Sequence, residues 1–186
     1  MNEELPKLIE EANAIAGDAE KSFGQLNSTQ LNWKPSPAQW SVAQCLDHLI
    51  VINSAALPIV DKILREGYKP TLQERLPLLP KFFAGMVLKA VSPEGKSKYK
   101  TARHVAPSSG TISSDIVAKF RAHQQDLIQH MKMAEKLDLK KIIITSPVAS
   151  FATYSALDAF KIAVTHERRH LLQARRVVDA AGFPRA

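Results

Sequence analysis

The chain has 186 residues, 45% of them hydrophobic, which is enough for one domain with a substantial core. Its single cysteine, Cys45, excludes an internal disulfide and fits a reducing compartment. The net charge of +7 is compatible with an anionic partner, but no nucleic-acid-binding motif accompanies the basic residues.

Neither the N-terminus nor the middle of the chain predicts a targeting or membrane segment. The N-terminus begins acidic and lacks the charged and then apolar regions of a secretion signal. The most apolar middle stretch, residues 76–91, contains two prolines and two lysines and is shorter than the roughly 20 residues of a spanning helix. We therefore expect a cytoplasmic protein with no membrane partner.

The first two predicted helices are defined by apolar periodicity and by their ends. Residues 3–23 place apolar side chains at i, i+3 and i+4, and Gly24 with the polar run after it ends this helix. The second helix covers residues 41–65. Ser41 is suited to cap its first turn, and Gln44, three residues later, completes a capping box.

The middle of the chain is less regular. Residues 72–91 predict one or two shorter helical pieces broken by the prolines, and residues 92–110 predict a loop. The third long helix begins near residue 113 or 114 and ends near residue 137. Residues 142–144 favour a short extended piece.

The fourth helix completes the predicted architecture. It begins after Ser155, with Asp158 at the third helical position, and ends before Gly182. Four amphipathic helices make an all-α four-helix bundle the simplest fold. We expect a single domain over residues 1–186.

Two histidines of the fourth helix carry the first functional hypothesis. At about 100° per residue, His166 and His170 lie on one helix face. That face is an apolar stripe, formed by Ala159, Ile162, Ala163, Ala174, Val177 and Ala181. A buried polar pair requires partners, and one metal ion satisfies both imidazoles.

A third ligand is expected from another helix. His48 is the best candidate, because it lies at the border of the apolar face of the second helix. His123 and His130 are about 10.5 Å apart along a helix, too far to share one ion. His104 falls in the predicted loop.

Each of these residues also has an ordinary structural interpretation. His166 and His170 are compatible with core histidines bonded to carbonyl or carboxylate groups, and His48 with an ordinary helix residue. Cys45 fits a small buried apolar residue. Glu167 is suited either to orient a ligand ring or to pair with an arginine. The two tryptophans, Trp33 and Trp40, are typical of core packing.

Two stretches of the sequence resemble the DinB-like superfamily, which includes YfiT-like and mycothiol-dependent thiol S-transferases. One contains Asn32-Trp33-Lys34-Pro35, Trp40-Ser41-Val42-Ala43 and Asp47-His48-Leu49. The other runs from Pro147 through Thr165-His166-Glu167-Arg168-Arg169-His170 to Gln173. Their order and separation extend the resemblance over nearly the whole chain.

The resemblance implies a more detailed fold and site. The bundle would have an up-down-down-up order, with a helical and loop crossover in the middle. One divalent metal ion, Zn or Ni, would be held by His48, His166 and His170. A low-molecular-weight thiol would be the substrate of an S-transferase, and relatives often form homodimers.

Several functions are compatible with such a site. Three histidines leave open positions on the ion, where either a thiol or a water would be activated, so a hydrolase is the alternative to a transferase. A non-catalytic, metal-stabilised bundle is a further class. DNA binding is suggested by charge and by the damage-inducible name of the family, and we expect no nucleic-acid partner. The basic loop over residues 96–104 is suited to the carboxylates of a thiol substrate or simply to solvent.

Overall fold

The first part of the chain forms one long and one short helix. The structure is a computed structural model that describes residues 3–76, 79–95 and 101–185. Helix α1 (Leu5–Phe23) buries the predicted apolar face. Helix α2 (Ser28–Asn32) was not predicted, although Asn27 and Gln30 form the same kind of capping box that identified the next helix.

Helix α3 (Val42–Glu66) has the predicted start, because the Ser41 and Gln44 side chains form the expected capping box. Among the described residues, α3 is the one helix long and apolar enough to cross a bilayer by length and composition. Half of that apolar stretch is buried inside the protein. Because core helices can pass the same test of length and composition, this one helix is weak evidence of a membrane span.

Residues 67–115, which follow α3 and are called the crossover here, contain the predicted shorter pieces. A 3-10 turn (Gln73–Arg75) precedes α4 (Leu79–Val91), and another 3-10 turn (Arg103–Val105) follows in the loop. Residues 77–78 and 96–100, which include three lysines of the predicted basic loop, lie outside the described residues.

The last third of the chain combines two helices with a small sheet. Helix α5 (Ile116–Met133) continues into a 3-10 turn (Ala134–Lys136), close to the predicted end. Strand β1 (Ile143–Thr145), the predicted extended piece, pairs with the unpredicted β2 (Thr153–Ser155) in an antiparallel sheet. The expectation of an all-α chain is therefore confirmed in its mostly helical content and corrected for this hairpin.

Helix α6 (Ala156–Val178) begins as predicted, with the Ser155 hydroxyl accepting from the backbone N–H of Asp158. It ends at Val178, earlier than expected. Gly182 lies four residues beyond, at a φ of 83° that favours glycine.

Three ion pairs show that α1 and α6 run in the same direction. They join Glu4 to Lys161, Glu11 to Arg168 and Asp18 to Arg175, with N–O distances of 2.6, 3.2 and 3.2 Å. Both partners advance by seven residues, or about two turns, from one pair to the next. The ladder lies on the rim of the contact between the two helices, where solvent screens it and each pair contributes little stability.

The other long helices surround the same core. Helices α1 and α3 each pack against both α5 and α6. Asn53 of α3 and Gln124 of α5 reach the same side chain of α6, and Asp61 meets His130 farther along both helices, so α3 and α5 run in the same direction. His48 of α3 contacts His170 of α6, and Asn53, farther along α3, contacts Glu167, which comes earlier in α6. Helices α3 and α6 are therefore antiparallel.

The core and the crossover should respond differently to loss of a phenyl ring. Phe120 of α5 has no exposed surface, whereas Phe82 of α4 is 65% exposed. We expect Phe120→Ala to lower the free energy of unfolding by about 3–5 kcal/mol, because it leaves a cavity. Phe82→Ala should cost less than about 1 kcal/mol. Urea unfolding of both variants measures the difference, and equal losses would contradict this core assignment.

Candidate metal centre

His166 and His170 lie on the buried face of α6, where the helical phase placed them. Both side chains are buried, and their Nε2 atoms are 2.9 Å apart. Each ring therefore directs the same nitrogen toward its neighbour.

His48 enters this pair from α3 and is almost fully buried. Its Nδ1 lies 2.6 Å from the carbonyl oxygen of Val105. A carbonyl only accepts hydrogen bonds, so Nδ1 carries the proton and Nε2 keeps its lone pair. Such a bond from the other ring nitrogen is typical of metal-binding histidines, because it fixes the tautomer and the orientation of the ring.

The three histidines are placed to bind one metal ion. One nitrogen from each ring lies within 4.8 Å of the other two. Imidazole nitrogens bind zinc-type ions at about 2.0–2.1 Å, so nitrogens gathered this closely are near the spacing of ligands that share one ion. In the residues that the structure describes, this is the one such group of three or more histidine, cysteine or acidic side chains.

The electrostatics of the cluster keep the rings neutral, as metal ligation requires. Burial, reinforced by the neighbouring histidines, lowers the pKa of His166 well below its usual value and that of His170 to about 3. Burial also lowers the pKa of His48, against the opposing effects of the Val105 carbonyl and Asp47. Three neutral lone-pair donors in one buried place are a donor set that suits a divalent ion.

Trp40 forms one wall of the cluster. Its ring stacks on His170, with centroids 5.4 Å apart and planes 22° apart, and it lies tilted against His48 at 4.9 Å. Both Trp40 and Trp33 pack against the core, and Trp33 meets Phe183 edge to face. Trp40 therefore combines the predicted packing role with direct contact to two of the candidate ligands.

Glu167 points away from the histidine cluster into the core. One carboxylate oxygen accepts from the Asn53 amide at 2.6 Å, and the other accepts from the Gln124 amide at 2.9 Å. Neither role expected from the sequence, a ring contact or an arginine pair, is present among these hydrogen bonds. Burial raises the pKa of Glu167 to about 7, although the two amides act in the opposite direction.

This position changes the meaning of the His-Glu-x-x-His pattern on α6. In zinc proteases with that pattern, the glutamate acts as a general base on bound water. Here both oxygens of Glu167 are held by amides from α3 and α5. The carboxylate thus joins three helices instead of facing the cluster.

Two parts of the crossover are anchored beside the cluster. The Val105 carbonyl holds His48, and the backbone N–H of Ser108 donates to Asp47 at 2.6 Å. On the other side, Arg169 donates to the carbonyl of Ser92 at 2.6 Å. Arg103 is exposed in the turn before Val105, and Lys96, Lys98 and Lys100 lie outside the described residues.

The remaining histidines and the cysteine stay outside the cluster, as expected. His104 is exposed, and His130 contacts Asp61 and Asp126. Cys45 is buried, and burial raises the pKa of its thiol, in agreement with a small core residue.

Sequence analysis missed Asn53, Gln124 and the Val105 carbonyl. Gln124 had a signal, because it lies on the apolar face of α5, four residues after Phe120 and three before Leu127. No feature of the sequence pointed to the Val105 carbonyl, because every residue has a backbone carbonyl oxygen.

Comparison with known proteins identifies the family of this chain. The model of the DinB superfamily matches residues 14–174, a range that contains all three histidines. The uncharacterised protein YuaE of Bacillus subtilis (strain 168) is 23% identical over 155 residues, which cover 83% of this chain and 86% of that protein. No solved structure matches the chain significantly.

Elemental analysis tests the cluster directly. We expect about one divalent ion per chain, because three converging imidazoles form one site. His166→Ala should lose the ion, whereas His104→Ala, which removes an exposed histidine, should retain it. A wild-type content well below one ion, or an unchanged content in His166→Ala, would contradict the site.

The buried carboxyl predicts a specific pH dependence of stability in chelator-treated protein. The pKa of Glu167 is about 7 when folded and 4.5 in the ordinary environment, so the folded state binds the extra proton. Its contribution is therefore greatest below pH 4.5 and is lost as pH rises through 7, by roughly 3 kcal/mol in total.

Glu167→Gln should remove this dependence, because its amide does not ionise. Urea unfolding at pH 5 and pH 8 should show the variant gaining stability relative to wild type at the higher pH. The exposed Glu135→Gln serves as the control and should show no such gain. A constant difference between Glu167→Gln and wild type would refute the interpretation.

Proposed function

Because this chain belongs to the DinB superfamily, we propose that it is a divalent-metal-binding protein with an open three-histidine site, which acts as a metal-dependent thiol S-transferase. The observation that carries the proposal is the convergence of His48, His166 and His170 on one buried point. The YfiT-like subgroup, suggested by resemblance, is part of the proposal.

The proposed architecture is a single domain over residues 1–186, built as an up-down-down-up four-helix bundle. The parallel ion-pair ladder between α1 and α6 supports it, as do the shared direction of α3 and α5 and the antiparallel contact of α3 with α6. The segment that contains α4 is the proposed crossover.

The proposed ion is Zn or Ni, both of which bind imidazole well. Such an ion would supply Lewis acidity that lowers the pKa of a thiol at its open position. The three histidines leave that position free, because a closed structural site requires four protein ligands.

The protein's own groups would hold and orient this site. The Val105 carbonyl keeps the His48 proton on Nδ1, so that Nε2 is available as a ligand. Trp40 covers the His170 ring and restricts water at that side. The link from Glu167 to Asn53 and Gln124 sets the rotation of α6 against α3 and α5.

The hydrogen bonds that hold both oxygens of Glu167 favour a thiol over water as the group that the metal ion would activate. A metal hydrolase commonly uses a carboxylate as general base. Both Glu167 oxygens are taken by amides, and Asp47, next to His48, accepts from the Ser108 backbone. A thiol needs no such base, since coordination alone lowers its pKa into the neutral range.

Other features of the proposal come from the sequence. We propose a low-molecular-weight thiol as the substrate, a cytoplasmic location and a homodimer. The metal-dependent hydrolase is the alternative activity, and the non-catalytic, metal-stabilised bundle is the alternative without chemistry.

The activity is tested by incubating metal-loaded protein with several cellular thiols and an alkylating electrophile. We expect conjugation above the spontaneous rate with at least one thiol. Chelation and His166→Ala should reduce it to background, whereas His104→Ala should leave it unchanged. Mass spectrometry of the conjugate measures the reaction.

The alternatives give different results in the same samples. Hydrolysis of a test ester or amide without conjugation would favour the hydrolase. If metal-loaded protein shows neither activity while chelation sharply lowers its melting temperature, the ion serves stability and the enzyme proposal fails.

A further inference from the structure

Most of the large apolar side chains that are exposed in the described part of the chain lie around the crossover. The described residues include eight large apolar side chains that are exposed, and six of them belong to this region. They are Leu72, Leu76, Leu79, Phe82, Met86 and Phe151. We call this set the crossover patch.

Contacts in the structure connect the parts of the crossover patch. Phe83 contacts Phe82 at 5.5 Å and Phe151 at 5.8 Å between ring centroids, so α4 is joined to the loop before β2. The Gln73 side chain donates to the carbonyl of Ser150 at 3.0 Å, which brings the turn after Leu72 to the same loop. The exposed apolar side chains of α4, of the residues that flank the turn after Leu72 and of the loop before β2 therefore lie on one surface.

Helix α4 presents the centre of the patch. Leu79, Phe82 and Met86 follow one another at three- and four-residue intervals and share one face. Ala84 is the one buried side chain of this apolar helix. Phe83, Val87 and Leu88 are half-buried, whereas Leu79, Phe82 and Met86 stay exposed. Such a contiguous exposed apolar face indicates a partner.

The charge of the protein is concentrated in the same segment. Residues 67–110 contain eight lysines and arginines against two acidic residues, so this segment carries six of the seven net positive charges. Helix α4 has two exposed lysines, Lys81 and Lys89, and no acidic residue. Both acidic side chains of the segment, Glu74 and Glu94, accept hydrogen bonds within it.

We propose that the crossover patch attaches the protein peripherally to an anionic lipid surface. Phenylalanine, leucine and methionine on one helix face, flanked by lysines, are the composition of helices that lie in the plane of a membrane interface. The lysines would meet acidic headgroups while the apolar side chains enter the boundary of the acyl chains.

The distribution of charged and apolar side chains favours a lipid surface over two other partners, a second copy of the chain and a nucleic acid. A second copy of the chain would bring like charges together across the patch, which opposes self-association there. A nucleic acid would satisfy the lysines but leave the apolar side chains without an apolar environment. The sequence expectation of no membrane partner rested on the lack of a spanning segment, which does not bear on attachment at the surface.

The test is sedimentation of the metal-loaded full chain with vesicles of phosphatidylcholine alone or mixed with phosphatidylserine. We expect at least roughly tenfold stronger binding to the mixed vesicles, reduced by high salt. Phe82→Gln should weaken it roughly tenfold, through lost apolar insertion. Lys89→Glu should weaken it roughly fivefold or more.

Two substitutions outside the patch provide matched controls. Met133 is 43% exposed, as is Met86, but it lies on α5, so Met133→Gln should bind like wild type while Met86→Gln binds weakly. Lys132→Glu is the charge control for Lys89→Glu. Circular dichroism of each variant verifies the fold.

Three results would overturn the proposal. One is equal binding to neutral and anionic vesicles, and another is no vesicle binding by the wild type. The third is a dimer, measured by light scattering, that Phe82→Gln dissociates and Met133→Gln does not, which would make the patch a contact between two copies. None of these results depends on the proposed transferase activity.

Discussion

Burial of three neutral imidazoles at the contact between α3 and α6 is the constraint on which the site depends. Neutral rings can be buried only if their polar nitrogens are satisfied. His48 uses one nitrogen on the Val105 carbonyl, and His166 and His170 face each other through Nε2. One nitrogen from each ring lies within 4.8 Å of the other two, so a single shared cation can satisfy all three rings.

A second polar cluster holds the helices in the register that this convergence needs. Glu167 follows His166 directly but points about 100° around α6, so its carboxylate reaches Asn53 and Gln124 while the histidines face the site. Rotating α6 would break the hydrogen bonds from both side-chain amides to Glu167, and it would also move His166 and His170 away from His48. The exposed ion pairs between α1 and α6 follow the same register. Because they are solvated, they contribute little to the stability of the fold and mainly show that the two helices are parallel.

The crossover has two faces with different chemistry. Its inner side supplies backbone carbonyls to the site, from Val105 to His48 and from Ser92 to Arg169. Its outer side presents exposed apolar side chains of α4 together with the exposed Lys81 and Lys89. An insertion that only connected α3 to α5 would need neither property, which is why we assign the outer side a partner of its own.

The sequence by itself determined the long helices, their capping boxes and the inward phase of His166 and His170, because these depend on local spacing. It also ranked His48 first as the third ligand, from helical phase and family resemblance. Only the tertiary structure decided the partners of Glu167, the Val105 contact and the pairing of β1 with β2. The partners of Glu167 lie 40 or more residues away in the chain, and the Val105 contact uses a backbone oxygen that every residue has. In the hairpin, β2 has three residues, too few for a period to be recognised.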